Sequence, residues 1–123
     1  MNRNLLSLAI SMMVSSSTLL AQPGSVDPTF DPGDGPNARV FVTTVQPDGK
    51  VLIAGDFTEV SGQPHNVIAR LNIDGTLDAS FNANADPDVF AVFCITVQPD
   101  GKFLVGGQFE AFNGTEHSMI TRL

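Results

Sequence analysis

Two histidines hold matching places in this chain, His65 and His117, each five residues ahead of an arginine, Arg70 and Arg122. Histidine in the company of carboxylates is the material of zinc ligation and of proton transfer. Four aspartates, Asp31 and Asp34 in Asp-Pro-Gly-Asp-Gly and Asp86 and Asp88 in Asp-Pro-Asp, offer the hard oxygen ligands that calcium takes. With Glu116 they are also the acids open to a hydrolytic acid–base pair, because Asp48, Asp74 and Asp100 sit in turn signatures and have a local structural role. Cys94 is the single cysteine, so no disulfide forms within the chain. It stands in the apolar run Val89–Ile95 and reads as a small buried hydrophobe rather than a reactive thiol.

Each of these features has a plainer role to set beside the chemical one. A His and an Arg that recur at every copy of a unit serve the packing of the unit before they serve a site. The aspartate pairs lack EF-hand spacing, so Asp31, Asp34, Asp86 and Asp88 stand as calcium candidates only, and no other cofactor is indicated. No G-x-S-x-G elbow and no H-E-x-x-H helix occurs. Asn113-Gly114-Thr115 fits a glycosylation sequon, but Ser61-Gly62-Gln63 at the equivalent place does not, and it is not assigned. The expectation is of a protein with no catalytic residues.

The elements that must position these residues come from a duplication. Val45-Gln46-Pro47-Asp48-Gly49-Lys50 recurs letter for letter as Val97-Gln98-Pro99-Asp100-Gly101-Lys102. The match continues without gaps: Leu52, Gly55, Phe57, Gly62, His65, Ile68, Arg70 and Leu71 return as Leu104, Gly107, Phe109, Gly114, His117, Ile120, Arg122 and Leu123. Upstream, Gly24-Ser25-Val26-Asp27-Pro28-Thr29-Phe30 echoes Gly75-Thr76-Leu77-Asp78-Ala79-Ser80-Phe81. The organisation predicted is a signal over residues 1–21, the tail of a preceding repeat over 22–38, one repeat over 39–81, and a second over 82–123 that lacks its last strand. A period near 50 residues points to propellers or solenoids, whose units need neighbours to bury their faces.

Within each repeat the local signals are β. Val40–Val45 and Val89–Val97 are apolar on both faces, as suits an inner strand between neighbouring sheets. Gln46-Pro47-Asp48-Gly49 is a hairpin turn in which proline presets φ and glycine takes the left-handed position. Lys50–Ala54 returns as a second strand, Val67–Leu71 is a third, and Thr76–Phe81 a short polar fourth, with Val26–Phe30 as its counterpart from the preceding unit. Four antiparallel strands make a propeller blade. The fold class expected is all-β, about two four-stranded antiparallel blades of an incomplete propeller. Phe41, Phe93, Val51 and Phe103 are expected at the contact between the blades.

Composition narrows the partners. Arg3, a run from Leu5 to Val14 and Ala21 have the order of an export signal, and the run is shorter than the roughly 20 apolar residues of a membrane span. Export to the cell surface, the periplasm or the medium follows. Losing Arg3 leaves five of six basic residues against thirteen acidic ones, a surface that repels nucleic acid and anionic membranes. The mature chain has phenylalanine but neither Tyr nor Trp for a stacking platform.

The string V-Q-P-D-G-K-[VF]-L-[IV]-[AG]-G-x-F, followed by I-x-R-L-N-x-D-G-x-L-D-x-S-F, closely resembles the delta-60 repeat over nearly all of the chain after the signal. The resemblance implies a β-propeller of exported bacterial proteins, built from many such repeats, with no catalytic residue to carry over. A closed propeller needs at least about four blades. Two repeats therefore belong to a longer propeller, or several chains assemble into one ring. The function expected is a non-catalytic scaffold or binding surface for a protein or polysaccharide at the cell surface. The alternatives are an oligomeric, lectin-like propeller of two-blade chains and, third, a hydrolase, which would need carboxylates that break the repeat to converge. An open pair of blades is expected to self-associate through its exposed sheet faces.

Overall fold

The computed structural model describes residues 23–83 and 85–123. The export signal read over residues 1–21 lies outside them. The described residues form strands and turns with no helix, so none crosses a membrane as a helix.

Each repeat makes one three-stranded antiparallel sheet with a small hairpin beside it. In the first, β1 (Val40–Val45) pairs with β2 (Val51–Gly55), and β2 with β5 (Ile68–Leu71). A two-stranded hairpin, β3 (Glu59–Val60) and β4 (Gln63–Pro64), fills the connection between β2 and β5. The second repeat repeats the order, with β6 (Ala91–Val97), β7 (Phe103–Gln108), the hairpin β8 (Ala111–Phe112) and β9 (Thr115–Glu116), and β10 (Ile120–Arg122). The predicted turn is present in both copies. Asp48 Oδ1 accepts from the Lys50 N–H at 3.0 Å, and Asp100 Oδ1 from that of Lys102 at the same distance. Gly49 and Gly101 both take φ of 86°.

One glycine per repeat answers to a different constraint. The register of β1 against β2 slips between Val40 and Val42, and that of β6 against β7 between Val92 and Cys94. At these bulges a Cβ on Gly55 would overlap the Arg39 carbonyl oxygen, and one on Gly107 would overlap that of Ala91. The glycine and the bulge require one another.

The fourth strand is not formed. Residues 76–81 touch the sheet by a single bridge, Leu71 to Leu77, and then turn. The Asp78 carboxylate is the physical reason. Its Oδ1 accepts from the Ser80 N–H and hydroxyl, bending the chain, while its Oδ2 draws Lys50 Nζ and Arg70 Nε, each at 2.8 Å. A side chain held in that way replaces a ladder of backbone bonds. The upstream echo behaves alike: Val26–Phe30 is a turn segment, with Thr29 folded onto Asp27, and not a strand.

The two sheets pack face to face, β6 lying against β1 and β2. The seam is one apolar cluster of Leu52, Ala54, Val67 and Ile68 from the first blade and Val89, Val92, Ile95, Phe103, Val105, Phe109 and Phe112 from the second repeat. Phe103 is in it, and Phe41 meets Phe93 across the blades with ring centroids 5.4 Å apart. Val51 is not. Alternation along β2 puts Leu52 and Ala54 on the seam and turns Val51 with Ile53 to the opposite face, where they pack with Phe57, Val60, Ala69 and Leu71. Residues 31–37 of the leading connection are bonded along the edge of that second cluster, through Pro36 to Val60 and through Ser61, which donates to the Pro32 carbonyl at 2.7 Å.

Candidate functional site

The residues singled out for their chemistry are mostly consumed by the framework. The His65 backbone N–H donates to the Thr58 carbonyl and that of His117 to the Glu110 carbonyl, so each closes the small hairpin of its blade. The His65 ring is buried with its Nδ1 unpartnered, and burial pushes its pKa below the ordinary histidine value. Arg70 is an ion-pair partner of Asp78 and stacks on Phe81, 4.8 Å from the ring centre. Cys94 corrects the expectation of a buried thiol: it is exposed. It stands on the outer face of β6, where the equivalent Val42 of β1 is half-buried against the seam.

The calcium candidates fall in two places. Asp31 and Asp34 lie in the connection along the first blade, and Asp31 Oδ1 accepts from the Gly33 N–H at 2.9 Å. Asp86 and Asp88 lie in the connection into the second blade, where Asp86 Oδ2 accepts from the Gly114 N–H at 2.9 Å. The Asp86 carbonyl accepts from Asn66 Nδ2 of the first blade at 2.8 Å, pinning that connection to the seam. Among the described residues, no three His, Cys, Asp or Glu side chains stand close enough to hold a metal ion. Glu116 is exposed on β9 and takes no part in the cleft described next.

That cleft, of about 810 Å³, opens on the second blade between the connection and the end of β7. Its floor is Phe93, Phe109, Met119 and Gly107, and its rim carries Asp86, Asp88, Glu110 and Phe90. Three of the rim residues break the repeat. Where the second copy has Asp88, Phe90 and Glu110, the first has Pro36, Ala38 and Thr58. A shallower depression of about 520 Å³ along Thr29, Lys50, Asn72, Ile73 and Asp74 is made largely of turn residues. The sequence reading had Asp86 and Asp88 but missed Glu110 and Phe90. The signal for both lay in the mismatches between the copies rather than in the matches.

The first blade treats the equivalent region differently. Arg39 caps it, its guanidinium donating to Asp56 at 2.5 and 2.9 Å, and this holds the Asp56 carboxyl below the usual carboxylate range. The second copy has Ala91 and Gln108 at those positions, so its cleft has no such lid.

A family model described as a β-propeller domain of unknown function, DUF5122, matches residues 46–81 and 98–123. The chain belongs to this family. The matched segments begin at the two Gln-Pro-Asp-Gly turns and run through β2 to β5 of the first repeat and β7 to β10 of the second, which agrees with the delta-60 resemblance and with the blade-like sheets. No curated protein and no solved structure matches the chain.

Proposed function

We propose that this chain is an exported, non-catalytic module of a β-propeller, and that it presents the acid-rimmed cleft of its second blade to a partner at the cell surface. The observation that carries this reading is the gathering of repeat-breaking residues. Asp88, Phe90 and Glu110 depart from their counterparts in the first repeat and line one cleft. Departures with no packing role of their own have no reason to gather in one place unless they meet something.

The chemistry of that partner follows from the lining. Exposed phenylalanine faces attract a guanidinium or ammonium group, and carboxylates around them neutralise it. The formal charge of −7 steers cations toward the chain at low salt. A basic, aromatic-bearing protein segment fits better than a neutral sugar. The test is calorimetric titration with the peptide acetyl-Arg-Phe-Arg-Phe-amide, its Glu-Phe counterpart, and cellotetraose. Binding of the cationic peptide alone is expected, weakened by salt and roughly tenfold weaker in the Asp88→Asn, Glu110→Gln double variant. Equal binding of the acidic peptide would remove the cleft from the argument. Binding of cellotetraose alone would favour the lectin-like alternative.

A hydrolase is the second reading, because Asp86 and Asp88 converge with Glu110 on the same cleft. Against it, one Asp86 oxygen is already engaged by the Gly114 N–H. Turnover of aryl glycosides that disappears in Asp88→Asn would overturn the non-catalytic reading. Export is tested separately, by fractionating cells that express the full chain or residues 22–123.

A further inference from the structure

Just ahead of β1 the first blade carries a unit that the second blade lacks. The Arg39 guanidinium stands 5.3 Å from the centre of the Phe41 ring, while its Nε donates to Asp56 Oδ2 at 2.9 Å. Cation, ring and carboxylate complete one another there. The counterparts in the second copy are Ala91, Phe93 and Gln108, so the ring is kept and both charges are gone. Among the described residues no cation stands over Phe93, and the ring is 53% exposed where Phe41 is 40%.

The negative charge has not left the second blade but has moved to the rim of its cleft. Asp88 and Glu110 stand where the first copy has the neutral Pro36 and Thr58. Among the described residues no cation answers them. Arg39 is paired with Asp56, and Lys50 and Arg70 are paired with Asp78. Lys102 and Arg122 do not line the cleft. The second blade therefore has a bare ring and two uncompensated carboxylates where the first has a ring with its guanidinium in place. What is missing is an arginine in the position of Arg39.

The chemistry of that place separates arginine from lysine. A guanidinium is planar and weakly hydrated, so it lies against a ring and still aims N–H groups at a carboxylate, as Arg39 does. An ammonium is a compact, strongly hydrated charge, and shedding water onto a floor of phenylalanine costs it more. We infer that the cleft takes an arginine side chain of its partner, the guanidinium over Phe93 and its charge met by Asp88 and Glu110, as Arg39 serves Phe41 and Asp56 in the first blade. The inference rests on the reading of the cleft as the site of a cationic segment, and it names the residue that the segment must bring.

Two peptides decide between the cations, acetyl-Arg-Phe-Arg-Phe-amide and acetyl-Lys-Phe-Lys-Phe-amide, each titrated calorimetrically into the chain. The arginine peptide is expected to bind about tenfold more tightly. Phe93→Leu should bring it down to the level of the lysine peptide. The ring is half exposed, so the melt followed by circular dichroism should stay close to that of the parent. Gln108→Asp, at an exposed position, puts back the counterpart of Asp56 and should tighten the arginine peptide about threefold, independently of how Phe93→Leu folds. Equal affinity for the two peptides would overturn the inference and leave the cationic reading of the cleft standing. So would a preference for arginine that survives Phe93→Leu, or an affinity that Gln108→Asp does not raise. Binding of neither peptide would overturn the cationic reading itself, and the inference with it.

Discussion

Replacing Asp78 with asparagine should be among the most damaging single changes available outside the apolar core. The carboxylate is buried, its side chain 7% exposed, and it receives Lys50 and Arg70 at 2.8 Å each. It ties the start of β2, the middle of β5 and the turn that replaces the fourth strand. Removing one partner of a buried ion pair costs about 3–5 kcal/mol. Lys50 and Arg70 keep 32% and 21% of their side chains in water, and screening there lowers the expected loss to about 2–3 kcal/mol. For a folded unit near 100 residues that corresponds to a drop in melting temperature of roughly 8–20 °C. Far-ultraviolet circular dichroism is the suitable probe, since the chain has neither Trp nor Tyr to report by fluorescence. The pH dependence supplies an independent check. Donation from Lys50, then from Ser80 and Arg70, holds the Asp78 carboxyl well below the usual carboxylate range. A group depressed in the folded state stabilises fully above its unfolded value of about 4, and loses that contribution as pH falls through the folded one. The gap between the parent and Asp78→Asn should therefore be widest near neutral pH and shrink below about pH 4. A loss under about 0.5 kcal/mol, or two stability curves that stay parallel through acid, would refute the account of Asp78 as the tie.

Gly55→Ala and Gly107→Ala should each cost about 2–4 kcal/mol in urea denaturation, since a Cβ at either bulge meets a backbone carbonyl that cannot swing away. Phe109→Ala should cost about 3–5 kcal/mol, because the ring is buried in the seam cluster and packs edge-on to Phe112 at 5.3 Å. Burial keeps the His65 ring neutral in the folded state to a lower pH than in the unfolded chain. The unfolded state then binds more protons below about pH 6.5, so stability falls as pH drops from there, and titration of His65→Gln should lack that slope.

What the sequence made legible was whatever the duplication repeats. The turns at Asp48 and Asp100, the three paired strands and the family all follow from residues that occur twice, because a local rule that acts twice is hard to misread. The errors have a common cause in side chains that reach beyond their own strand. Thr76–Phe81 has the composition of an edge strand, but Asp78 bonds to Ser80 on one side and to Lys50 and Arg70 on the other, and the ladder gives way to a turn. Val51 is expected on the seam along with Phe103, but the two hold the same position in their blades and only the second blade has a sheet in front of that face. Cys94 lies in an apolar run that predicts burial for either face, and no local pattern tells which face has a neighbour. The cleft was half legible: its aspartates were visible as loop acids, whereas Glu110 and Phe90 acquire meaning only when β7 and the connection are brought together.

The face of β2 that carries Val51 and the face of β7 that carries Phe103 differ, and the difference can be tested by erasing it. Thr43 and Val51 of the first blade stand where the second has Ile95 and Phe103. Thr43 is exposed and Val51 only half-buried at the margin of its cluster, so Thr43→Ile with Val51→Phe should leave the fold intact while giving the first blade the corresponding sheet face of the second. Asn37 is left in place because its amide closes the small hairpin through Thr58 and Glu59. If complementarity to the exposed face of Met119 and Ile120 resides in these positions, the double variant should gain a head-to-tail contact between copies. Each larger side chain adds about 1–2 kcal/mol of apolar burial at the contact. Two such gains shift an association midpoint by roughly thirtyfold or more. Sedimentation velocity would then show larger species than the parent forms at the same concentration, and thiol labelling of the exposed Cys94 would slow in step with them. A double variant that folds, stays as small as the parent and keeps an open Cys94 would mean that the choice of partner is made elsewhere, in the connection from Asp31 to Asn37 rather than on the sheet.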